Sequence, residues 1–154
     1  MNPTSLGSSL NLTRPVADSS QQSVPRFLVL MGRILLAAIF VISSSGHFMP
    51  QTVNYAAHQG VPFAEVLVPA SGLMALIGGL SVLAGYRARV GALLLVIFLV
   101  PVTLTMHAFW AVHDPQMAMM QLSMFFKNLG LMGGALLILY YGAGPLSLDR
   151  RQGR

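Results

Sequence analysis

His107, Trp110, His113 and Asp114 fall within the stretch TMHAFWAVHDPQ, and Lys127 and Asn128 follow inside the next apolar run. An imidazole can move protons, hydrogen-bond a carbonyl or bind a metal. An ammonium in the middle of a membrane span costs about 2.5–3.5 kcal/mol on insertion scales, so it normally faces the bundle interior and marks a site. Lys127 lies twelve residues past Pro115, about 18 Å along a helix rising 1.5 Å per residue. At spacings of four and three, Thr103, His107 and Trp110 would share one helical face. With His47 at the end of the first apolar run, the candidate ligand-binding set is His47, His107, Trp110, Lys127 and Asn128. Glu65 and Asp114 are the carboxylates available to pair with Lys127. No residue is assigned a catalytic role.

Plainer roles compete for several of these side chains. Asp114 directly before Pro115 is the pattern of a helix N-cap followed by proline at the first helical position. Glu65 falls in the first turn of a span, where a carboxylate complements the helix dipole. Trp110 suits the aromatic belt at a membrane surface, and Arg33, near one end of its span, can reach the headgroups with its guanidinium. His58 and His113 belong to loops. Met117, Met120 and Met124 recur near one end of the last run; such a stripe reads as packing or lipid contact before it reads as a Cu(I) site. There is no cysteine, which excludes disulfides and thiolate metal centres, and no metal site is expected. The sequence also lacks an H-E-x-x-H pair, a phosphate-cradling glycine loop and a nucleophile elbow.

The elements that must position these residues are set by hydropathy. Of 154 residues, 55% are apolar and 8% charged, against about 25% charged in soluble domains. Mean hydropathy is +0.68. The expected fold is all-α: an integral membrane four-helix bundle with spans at about 26–49, 64–86, 88–110 and 115–141. Residues 1–25, rich in Ser, Asn, Gln and Pro, read as a disordered tail rather than a secretory signal, and 144–154 as a basic tail. The +5 formal charge marks orientation rather than nucleic-acid binding. Arg14, Arg26, Arg87, Arg89, Arg150, Arg151 and Arg154 all fall at one end of a four-span bundle, and the loops 50–63 and 111–120 carry no Lys or Arg. Both termini are therefore expected to be cytoplasmic. Gly72, Ala75 and Gly79 share a face of the second span, and Gly130 and Gly134 a face of the fourth, which suits close helix packing or oligomerisation.

Several runs, in order, resemble the DoxX family of small four-helix inner-membrane proteins: MGRILLAAIFVISSSGHF, GGLSVLAGYRARVGALLL, HAFWAVHDP, FFKNLGLMGGALLIL and YGAGPLSLDRR. The resemblance covers roughly residues 27–151 and supports His107, Phe109, Trp110, Lys127 and Asn128 as the signature. It implies a multi-pass protein of the bacterial inner membrane, an accessory and not itself catalytic subunit of a membrane redox complex, with a quinone as the ligand. The chain departs from that pattern at Ala75, where many relatives have glutamate, and at His47, where many have lysine. Two other readings stand beside it: a small transporter, and a structural partner that docks its glycine-lined faces on another membrane protein.

Overall fold

A chain with apolar runs of about 20 residues can satisfy its backbone in lipid by forming helices. The computed structural model, which describes residues 26–153, is helical throughout, with no strand among the described residues. Four helices are long and apolar enough to cross a membrane, as the all-α membrane bundle read from the sequence requires. Helix α1 (Arg26–Ser43) runs on as a 3₁₀ turn, Ser44–Phe48. A short helix α2 (Pro50–His58) follows, then α3 (Ala64–Ala84), α4 (Ala88–Met106), a 3₁₀ turn at Phe109–Ala111, α5 (Pro115–Tyr141) and a single turn α6 (Leu148–Arg151). The expected disordered tail, 1–25, lies outside the described residues.

The long helices line up as α1, α3, α4 and α5, each packed on the next, while α1 and α5 barely touch. Small residues make the two inner seams tight. A Cβ at Gly78 would lie 2.8 Å from Leu95 Cδ2 and 3.0 Å from the Gly91 carbonyl, so α3 and α4 meet backbone to backbone. Gly79 packs on Phe40 and Val41 in the same way. Around these seams Ala37, Phe40, Ala75, Val82, Leu95 and Leu99 form the core. Association in lipid rests on such packing because burial from water drives nothing there.

Helix α2 is absent from the sequence reading, which left 50–63 as a loop. Pro50 sits at its first helical position after an extended Met49, where the missing N–H costs nothing. Ala56 is buried, and with Ala64 and Val68 of α3 it forms a second small core that Val53, Val61 and Met106 cover.

The other end of the bundle is closed by the segment after α5. Gly142, Gly144 and Leu146 have positive φ, turning the chain back so that Ser147 caps α6. The Asp149 carboxylate then accepts from the backbone N–H groups of Arg87, at 2.7 Å, and Ala88, at 2.9 Å. Arg87 is itself in the left-handed region and offers no side-chain cap, so Asp149 caps α4 from 61 residues away. The Asp149 N–H returns a bond to the Gly85 carbonyl at 2.8 Å.

Candidate functional site

The neutral end of the bundle carries most of the candidate residues, but they separate into distinct places. His47 sits on the 3₁₀ turn after α1. Its Nδ1 lies 3.2 Å from the Ser43 carbonyl, and its ring meets the edge of Phe98 with centroids 5.5 Å apart. The turn can approach α3 because Gly72 faces it: a Cβ there would run into the His47 side chain. His47 thereby lines a cavity of about 440 Å³ between α3 and α4, roofed by α2 and the loop at 60–62. Val68, Met74, Phe98, Pro101 and Met106 supply apolar walls. Two hydroxyls also line it, and both are committed to their own helices: Ser71 donates to Val68 O at 2.7 Å and Thr105 to Pro101 O at 2.8 Å. His47 is left as the polar group available to a ligand.

His107 lies elsewhere. Helix α4 ends at Met106, and His107 is its C-cap with φ −122°. The supposed common face of Thr103, His107 and Trp110 therefore breaks, because it needed helix through residue 110. Thr103 is buried with its hydroxyl unpartnered among the described residues, while Trp110 is 60% exposed. The His107 Nδ1 lies 2.8 Å from Gln121 Oε1, and the Gln121 amide nitrogen 3.5 Å from the Tyr55 hydroxyl. With the amide oxygen against the ring, Nδ1–H is the donor. This relay ties α2, α4 and α5 together at one level. Trp110 instead joins an aromatic cluster, 5.0 Å from Phe109 and 5.8 Å from Phe125 between centroids.

Lys127 departs most from the expected inward-facing position. It is exposed, with no hydrogen bond or ion pair among the described residues, while its neighbour Asn128 is buried. Helix α5 packs chiefly on α4, and of its 27 residues Asn128 and Ala135 are buried. A residue one position from the buried stripe is turned about 100° away by the helical period. Neither proposed carboxylate reaches it: Asp114 caps α5 by accepting from Met117 N at 2.7 Å, and Glu65 is exposed in the first turn of α3. The five candidates thus form no single pocket, and His47 alone among them lines the cavity. Gln121 and Tyr55 were missed because nothing in their spacing from His107 signals contact across helices.

Arg33 was also underread. Its side chain is buried at 3% exposure, donating from Nη1 to the Ala143 carbonyl at 3.0 Å and from Nη2 to Leu146 at 2.8 Å. It reaches the turn after α5 rather than the headgroups. A charge in the eighth position of an apolar helix was the signal for this.

The model of the SURF4 family matches residues 8–154. Among curated relatives, inner membrane protein YphA of Escherichia coli is 27% identical over 126 residues, covering 80% of this chain and 89% of that protein. Inner membrane protein YqjF of the same organism is 32% identical over 124 residues, covering 79% and 89%. ER-derived vesicles protein ERV29 of Saccharomyces cerevisiae is 23% identical over 138 residues, which is 90% of this chain but 38% of that protein. No solved structure matches. The DoxX resemblance rested on five short runs and is overturned by a match that spans nearly the whole chain to a different family. The redox complex and the quinone that it implied lose their basis with it. Four apolar crossings and this match together make the chain an integral membrane protein that belongs to the SURF4 family.

Proposed function

We propose that this protein is a membrane-embedded binding protein, not a catalyst, that holds a slender apolar ligand such as a fatty acyl chain in the cavity between α3 and α4, with His47 as the hydrogen-bonding contact. The cavity itself carries the reading. At about 440 Å³ it falls in the range of small-molecule sites, which are mostly apolar with few placed polar groups. Its hydroxyls are already bonded, which suits retention of a ligand better than chemistry on it. With the arginine-rich end cytoplasmic, as the positive-inside rule predicts, the cavity would lie in the outward half. An environment-sensitive fluorescent fatty acid titrated into the purified protein tests this. Saturable binding that Ser71→Trp abolishes and His47→Phe weakens is the expected result. Binding unaffected by Ser71→Trp would contradict it.

A second reading is favoured by one observation, the exposed Lys127. Among the described residues, Asp114 and Asp149 are occupied at helix N-termini and Glu65 lies at the end of its span, which leaves room for a counter-charge supplied from outside the chain. The α5 face would then receive a partner span bearing a carboxylate, and Gly130 and Gly133, which have open space around them, would allow it to approach closely. Cross-linking from α5 in native membranes that is lost in Lys127→Met supports this reading. Cross-linking that persists in that variant opposes it.

A further inference from the structure

At the arginine-rich end, away from the His47 cavity, two concavities adjoin. One, of about 600 Å³, is lined by Arg87, Arg89, Arg150, Asp149, Ser147 and Tyr141 among others. The second, of about 530 Å³, is a groove between α1 and α5, where those helices barely touch; Val29, Leu36, Leu131 and Leu137 line it, with Arg33. Gly142 and Ala143 line both, and Arg33 bonds to the Ala143 carbonyl, so it stands at the junction. The basic pocket lies at the helix ends, at headgroup level. From Val29 to Leu36 the groove descends about 10 Å into the span at 1.5 Å per residue.

We infer that these joined cavities form a binding site for a phospholipid of net negative headgroup, with its phosphate among Arg87, Arg89 and Arg150 and an acyl chain in the α1–α5 groove. Three independent features support it. The pocket holds three guanidinium groups and one carboxylate, and that carboxylate is already committed to the Arg87 and Ala88 N–H groups. Positive charge is therefore left over, as in basic pockets between membrane helices that bind anionic headgroups. The groove next to it is apolar and opens between two helices that would otherwise have packed, a shape with no use for a free anion. Small residues keep the passage clear: Gly142 leaves the Arg89 guanidinium beside the backbone, and Gly32 has nothing within 4 Å of where a Cβ would be. Arg33 adds a buried Nε without an acceptor among the described residues.

The test is native mass spectrometry of the full chain released from micelles containing equimolar dioleoyl phosphatidylglycerol and dioleoyl phosphatidylcholine. The wild type is expected to retain phosphatidylglycerol preferentially. Arg89→Gln with Arg150→Gln should lower that preference roughly five-fold for each arginine removed, and Arg89→Lys should keep it. Gly134→Leu, which fills the groove beside Leu36, should reduce retention of the lipid, with helicity by circular dichroism confirming that each variant is folded. Equal retention of the two lipids by the wild type would overturn the inference, as would an unchanged preference in the double arginine variant. If millimolar inorganic phosphate displaces phosphatidylglycerol while Gly134→Leu retains it normally, the pocket is a free-anion site and the lipid assignment fails. None of these outcomes touches the His47 cavity, so the two readings stand or fall separately.

Discussion

The buried Arg33 guanidinium and the Asp149 carboxylate hold one end of the molecule together through backbone groups rather than through each other. Arg33 ties α1 to the carbonyls of Ala143 and Leu146, and hydrogen bonds to charged groups contribute about 1.5–3 kcal/mol each. Arg33→Met should therefore lower the midpoint of thermal unfolding in detergent, and more than Asp149→Ala, whose loss of a helix cap costs about 0.5–2 kcal/mol. An equal or smaller effect of Arg33→Met would show that its two bonds are not structural. Sequence alone made Asp114 legible, because a cap and its helix are neighbours in the chain. Asp149 was not legible, because the helix it caps begins 61 residues earlier. Arg33 was read as reaching lipid headgroups for a related reason: its acceptors are main-chain carbonyls, which any residue offers and no side-chain pattern announces.

At the scale of the helix, length and hydropathy were easy to read and facing was not. Spans that are apolar all round give no periodic signal of which side is buried, so the placement of Lys127 outside and Asn128 inside came from packing alone. Glycines divide by the same criterion. Gly72 and Gly79, expected to let backbones approach, do so, whereas Gly130 meets nothing within 4 Å. Gly78→Val should force α3 and α4 apart, at a cost of about 1–3 kcal/mol for overpacking. Gly133→Ala, in open space within α5, should stabilise by up to about 1 kcal/mol through helix propensity. Paired unfolding curves in one detergent check both signs; destabilisation by Gly133→Ala would mean that α5 is covered there. Helix α2 escaped notice because nine residues of mixed polarity carry too little pattern to separate a helix from a loop.

For the molecule as a whole, the arginines at one end and the cavity at the other make orientation the link between fold and function. The absence of native cysteine permits a clean check: Gln59→Cys should react with an impermeant maleimide added outside intact cells, and Gln152→Cys should not until the membrane is opened. The reverse pattern would turn the cavity inward. The chain's four crossings could be read from composition, but the cavity could not, since it is assembled from a 3₁₀ turn, a short amphipathic helix, the first half of α3 and the last half of α4, which are not adjacent in sequence. The resemblance to a redox-associated family went wrong because five separate runs carried it, whereas the SURF4 family model matches residues 8–154 as a whole, and the proposed ligand now rests on the cavity's own make-up. That proposal is tested most directly by photo-labelling the full protein with a diazirine-bearing fatty acid and mapping the modified residues by mass spectrometry. Labels concentrated in the cavity-lining parts of α3 and α4, around residues 67–74 and 97–106, and displaced by unlabelled fatty acid, are the predicted result. Labels scattered over the lipid-facing surfaces of all four spans without displacement would contradict it.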